Sequence, residues 1–142
     1  MITARREVPS DAPHILFVDD EDSLVILISV VLKRWGYEVS GFTDPLQALK
    51  TLRERPSGFD ALVTDLSMPA MSGLVLAREA LQVRPDLPIV LTSGHVSPHD
   101  RELALRTGIS EVILKPNTVE GLGDTLHRLL EAGGSAGPHR RL

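Results

Sequence analysis

The chain has 142 residues, a formal charge of −4 and no cysteine. That length allows one domain with a proper core, and the absence of cysteine excludes disulfides and thiolate metal sites. The arginines are scattered rather than striped, no apolar run approaches the roughly 20 residues a membrane helix needs, and the N-terminus lacks the apolar heart of a signal peptide, so a cytoplasmic domain is expected.

Residues 1–13 are polar with two prolines and read as a loose tail. HILFV, 14–18, reads as a first strand. Asp22 or Ser23 can cap a helix running to about Trp35, which Gly36 ends. YEVSGF, 37–42, alternates weakly and reads as a second strand. Pro45 opens a second helix with Leu46, Leu49 and Leu52 inward, ending before Pro56. A third strand is expected at 60–64, a third helix from about Ser72 to Val83, and a fourth strand at 88–92. Ser97-Pro98 opens a fourth helix that Gly108 ends. A fifth strand at 109–114 and a last helix over about 118–131 follow. The domain is expected at 14–132, with 133–142, GGSAGPHRRL, a flexible end. Five β–α units in strict alternation predict an α/β fold, a parallel sheet with helices on both faces joined by right-handed crossovers.

The centre of the chain is FDALVTDLSMPAMSG, 59–73, an apolar run dense enough for a doubly buried strand that stops at Asp65. Open α/β sheets bind ligands at the C-terminal ends of their strands. Other runs end in polar clusters too: Asp19 and Asp20 after the first, Thr92 and Ser93 in the fourth, Lys115 and Pro116 after the fifth. Parallel strands would gather three carboxylates, a hydroxyl and an ammonium at one edge. These residues, with Met68-Pro69 and Gly73, resemble a response-regulator receiver domain, the phospho-accepting module of two-component signalling, over roughly 14–132. The resemblance implies a flavodoxin-like, doubly wound five-stranded sheet in the order 2-1-3-4-5, with the acids at the switch point between strands one and three.

Three carboxylates at one point repel, and one takes up a proton unless a cation intervenes. A hard divalent ion such as Mg²⁺ answers this, because it prefers oxygen ligands and uses one or two carboxylates plus a phosphate. The resemblance implies Asp20, Asp65 and the backbone carbonyl of Ser67 as direct ligands, with Asp19 acting through water. Asp65 can then be the nucleophile toward a phosphoryl group, Lys115 a compact neutralising charge and Thr92 a hydrogen-bond donor. Pro116 resembles the family's usually cis proline. The expected partners are a sensor or hybrid histidine kinase or a histidine phosphotransfer protein, with output to a downstream protein or a homodimer through helix four, strand five and helix five, and no direct contact with nucleic acid or membrane. The chain departs from the family in carrying Val112 three residues before the lysine and Asn117 after Lys-Pro, where aromatics are usual. Small residues at Ser67 and Gly94 leave room for an attacking water and suggest a short-lived phosphoryl group.

Two rival functions fit part of this pattern. A haloacid-dehalogenase-type phosphohydrolase also uses Mg²⁺, a strand-end Asp and a Lys, but it carries D-x-D after its first strand, where this chain has Asp19-Asp20-Glu21. A pseudo-receiver would keep the site and bind proteins without phosphate. The leading expectation is a signalling module rather than a turnover enzyme, self-catalysing only its own phosphorylation and dephosphorylation. On the first helix, Leu24, Leu27, Ile28, Val31 and Trp35 share a face, while Ile26 and Val30 fall outside it. Val30 packing on the last helix is the plain reading, and docking of a helical partner by Val25, Ile26 and Val30 is the functional one. His95 sits near the site, but without a second His or Cys beside it an exposed loop residue is expected.

Overall fold

The structure is a computed structural model describing residues 12–115 and 118–136. Ten elements alternate without interruption: β1 (His14–Val18), α1 (Asp22–Arg34), β2 (Glu38–Phe42), α2 (Pro45–Glu54), β3 (Ala61–Asp65), α3 (Gly73–Val83), β4 (Ile89–Ser93), α4 (Pro98–Thr107), β5 (Glu111–Leu114) and α5 (Thr118–Ala136). The strands form one parallel sheet in the order β2-β1-β3-β4-β5. The alternation and the strand order both match expectation.

The strands read as continuous apolar runs because each face of the sheet has its own core. Leu16, Val18, Leu62, Ile89, Leu91 and Val112 face α2, α3 and α4. Their neighbours Ile15, Phe17, Ala61, Val63, Val90 and Ile113 face α1 and α5. A strand's period of two divides them. Central strands β3 and β4 are buried along their whole length, while edge strand β2 is only partly covered.

Several boundaries differ from expectation. Glu21, not Asp22 or Ser23, is the N-cap residue of α1, and its side chain makes no cap hydrogen bond. Asp22 sits in the first turn, where a carboxylate suits the helix dipole. Leu46 points outward because the inner face of α2 is Pro45, Ala48, Leu49 and Leu52. The inner face of α1 is Val25, Ile28 and Leu32 rather than the stripe through Leu27 and Trp35. Val25 therefore belongs to the core and cannot dock a partner, whereas Ile26, Leu27 and Val30 lie on the exposed side. α5 runs on to Ala136 through Gly133 and Gly134 instead of ending near 131, since glycine costs a helix only about 1 kcal/mol each. Gly36 and Gly108 do end their helices, with φ of 96° and 111°. Residues 1–11, 116, 117 and 137–142 lie outside the described residues, and most of the two expected tails falls there.

Candidate functional site

The C-terminal edge of the sheet gathers the polar ends of β1, β3, β4 and β5. Asp19 follows β1 and is fully buried, with Asp20 beside it and exposed. Asp65 is the last residue of β3 and 6% exposed. One carboxylate oxygen from each of Asp19, Asp20 and Asp65 lies within 4.8 Å of the others. Lys115, just past β5, reaches across: its Nζ donates to Asp19 Oδ2 at 3.1 Å and stands 3.3 Å from Asp65 Oδ1. Asp19 is fixed further by the Glu21 amide, which donates to its Oδ1 at 2.9 Å. Ser67 lies exposed in the loop after β3, and Pro116 lies outside the described residues.

Two close approaches hold Asp65 in place. The Leu66 amide donates to the Thr92 carbonyl at 2.8 Å, so the peptide after the carboxylate is tied to β4. Gly73 then brings α3 so close that a Cβ there would stand 2.2 Å from the Asp65 carbonyl oxygen. Only glycine allows this approach. Ser72 caps the helix, its hydroxyl accepting from the Val75 amide at 3.2 Å.

Thr92 is the register partner of Asp65 on the neighbouring strand. It is 1% exposed, and its Oγ1 has no hydrogen-bond partner. A buried hydroxyl left unsatisfied costs about 1–3 kcal/mol, so this atom demands a reason.

The charges are equally unbalanced. Burial, and then the Asp19 carboxylate, push the Asp65 carboxyl above the ordinary carboxylate range, with Lys115 offsetting part of the effect. Burial works against the Lys115 ammonium, but hydrogen bonds and charge from Asp19 and Asp65 outweigh it and leave the group above the usual lysine value. Two buried carboxylates share one ammonium, and the exposed Asp20 carboxylate stands beside them. This all-oxygen donor set suits a hard divalent cation, so the residues present fit Mg²⁺.

A family match accompanies this geometry: residues 15–127 match the response regulator receiver domain. The chain belongs to that family. The receiver is 32% identical over 120 residues to the transcriptional regulatory protein ZraR of Escherichia coli O157:H7, covering 84% of this chain and 27% of the relative. It is 31% identical over 144 residues to the sensor protein EvgS of Escherichia coli K12, covering 99% of this chain and 12% of that one. It therefore spans about a quarter or less of the length of these two relatives. A response regulator receiver domain protein from Clostridium thermocellum superposes with a TM-score of 0.82 at 26% identity, over 87% of this chain and 98% of that one. The fold is that of a two-component receiver.

Sequence reasoning brought together Asp19, Asp20, Asp65, Thr92 and Lys115, and the structure does the same. It did not single out the Glu21 amide, the Gly73 approach or Asp100. Asp100, in the first turn of α4, lines an open groove with Asp20, Leu66, Ser67, Met68 and Pro69. Two of these had a readable signal, a glycine at a helix start and an acid in a first turn, but neither signal names the group it approaches. His95 is exposed as expected, its amide donating to the Ser93 hydroxyl at 3.2 Å.

Proposed function

We propose that this receiver takes a phosphoryl group onto Asp65 from a histidine kinase or a histidine phosphotransfer protein and signals through protein contacts. The observation that carries the reading is the buried, unpartnered Thr92 hydroxyl in register with Asp65. An anionic phosphoryl oxygen at Asp65 gives that donor its missing partner.

The transfer is an in-line exchange. A carboxylate oxygen of Asp65 attacks the phosphorus of a donor phosphohistidine. The new O–P bond forms as the P–N bond breaks, and the leaving imidazole recovers its electron pair and takes a proton from water. Lys115 Nζ, 3.3 Å from Asp65 Oδ1, lies where charge grows on the transferred group. Bound Mg²⁺ would supply the remaining charge neutralisation, held by Asp20, Asp65 and the Ser67 carbonyl directly and by Asp19 through water. Hydrolysis runs the bond change with water as the acceptor, and the exposed Ser67 and Gly94 leave the phosphoryl group accessible.

The new group adds roughly −1.5 to −2 charges at this edge. Thr92 closing on it displaces β4's end and the following loop, where the Ser93 hydroxyl now donates to the His95 carbonyl at 2.8 Å. Val112 is buried in the core, so this step proceeds without an aromatic rotamer change. One exposed apolar face suits a partner: Ile26, Leu27 and Val30 on α1 present it to the donor. On the output side Leu103 and Leu105 lie on different sides of α4, and they and Leu114 of β5 offer separate exposed apolar contacts to a target or a second copy. Ile26→Glu is expected to slow transfer from the donor while leaving the unfolding midpoint unchanged.

Intact mass after incubation with acetyl phosphate and Mg²⁺ tests the acceptor. One phosphoryl adduct is expected, absent in Asp65→Asn and without Mg²⁺. A folded protein with no adduct would instead be a phosphate-independent binding module, and turnover of a generic phosphomonoester would make it a phosphohydrolase.

A further inference from the structure

The edge that carries Asp65 has two unlike sides. On one, the Lys115 ammonium stands 3.3 Å from Asp65 Oδ1. On the other, an open groove of about 590 Å³ runs between the loop after β3 and the start of α4, lined by Asp20, Ser67, Met68, Pro69, Leu74 and Asp100 among others. Asp20 and Ser67 are two of the groups assigned to the cation. No lysine or arginine lines the groove among the described residues. That this edge takes a ligand is marked independently by Thr92, whose buried hydroxyl has no partner.

Asp100 reaches the groove because of how α4 begins. Pro98 suits the first helical position, and the Ser97 hydroxyl caps the helix by accepting from the Asp100 amide at 3.0 Å. An acid three residues after a capping serine ordinarily reaches back to the serine's own amide. The Asp100 carboxylate does not: it is half-buried and makes no hydrogen bond or ion pair among the described residues. Its neighbour Arg101 lines a separate groove with Pro98, Glu102 and Leu105. The α4 dipole favours an acid in this turn, but it does not require the acid to line the groove. A half-buried carboxylate beside Asp20 and Ser67 calls for a donor of opposite charge. Mg²⁺ holds on to several of its waters when it binds, and such waters are strong donors. We propose that Asp100 is a positioning residue for the cation, its carboxylate accepting hydrogen bonds from the ion's own waters across the groove from Asp20 and Ser67. This role rests on the reading of Asp65 as a Mg²⁺-dependent phosphoryl acceptor. Asp100 never touches the metal or the phosphoryl group. It raises the affinity of the site for the ion and ties the first turn of α4 to metal occupancy.

Calorimetric titration of the full chain with Mg²⁺ alone, at low salt, reads this role without any phosphoryl donor. Asp100→Asn is expected to weaken Mg²⁺ binding about tenfold, and Asp100→Glu, which keeps the acceptor, to restore it to within about twofold of the wild type. Asp86→Asn removes the same charge from an exposed position at the far end of the sheet, between α3 and β4, and should change the affinity by less than about twofold. Unchanged affinity in Asp100→Asn overturns the proposal. If the metal-free unfolding midpoint falls at the same time, Asp100 serves only the helix dipole. An equal loss in Asp86→Asn also overturns it, because the effect is then one of net charge. The two readings fail separately. A wild type that binds no Mg²⁺ removes the metal site and the role of Asp100 together, whereas a wild type that binds Mg²⁺ no better than Asp100→Asn removes the role alone and leaves phosphoryl acceptance by Asp65 standing.

Discussion

The two ends of the β-sheet hold similar chemistry under opposite conditions. At the N-terminal end His14 donates its amide to Asp60 Oδ2 at 2.8 Å, and its Nε2 lies 2.7 Å from the Ser40 hydroxyl. Its ring packs on Phe59 at 4.7 Å, and the Arg55 guanidinium sits 5.1 Å from the other ring's centroid. Arg84 donates to the carbonyls of Pro56 and Phe59. The polar groups there close on one another. At the C-terminal end two buried carboxylates compete for one ammonium, and a buried hydroxyl bonds to nothing. One end is finished by the protein alone and the other awaits a ligand. Conflict of this kind, kept where the rest of the fold is consistent, marks the functional edge.

The largest test of this contrast is Lys115→Ala. It leaves Asp19 and Asp65 buried and unpaired, and should cost about 3 kcal/mol in urea unfolding without metal. Mg²⁺ should recover part of that loss, whereas it should do nothing for a lesion at the other end. His14→Ala is that lesion: about 1–2 kcal/mol from the lost ring contact and hydrogen bond, with the phosphoryl adduct unaffected.

Acid titration of unfolding should separate the ends by sign. Burial lowers His14 below 6.5, despite Glu38 and Asp60, so the folded state resists its protonation. Between the lowered value and 6.5 the unfolded chain binds more protons, and stability falls as pH falls. Asp65 is raised above 3.8, so between 3.8 and its raised value the folded state binds more protons, and stability rises as pH falls. His14→Ala should remove the first slope and Asp65→Asn the second, both measured without metal. The smallest expected effect is Thr92→Val. The hydroxyl it removes has no partner, so stability should change by no more than about 1 kcal/mol, toward gain, while adduct formation slows.

Much of this was legible in the chain. Strand runs were dense and punctuated, and the four polar clusters stood at their ends, so topology alone could bring Asp19, Asp20, Asp65, Thr92 and Lys115 together. The rotation of α1 was not legible, because Leu24 through Leu32 is apolar almost all round and periodicity cannot choose among Val25, Leu27 and Ile28. Nor was the N-terminal cluster, in which His14 and Ser40 come from stretches far in sequence from the Arg55–Phe59 segment they join. The Thr92 hydroxyl illustrates a different limit. Its significance lies in a missing partner, and only three-dimensional packing reveals that.

The bridge from Lys115 to Asp19 and Asp65 also orders events in time. It joins residues 96 positions apart in the chain, from strands that are not neighbours in the sheet. On a ribosome, roughly 50 residues follow Asp65 before Lys115 is made, a delay on the order of 3–10 s. Through that interval the nascent chain holds its acids without their counter-charge, which disfavours early closure of β1 on β3. Release of the β5 lysine lifts that penalty, so the domain should become protease-resistant in one late step rather than strand by strand.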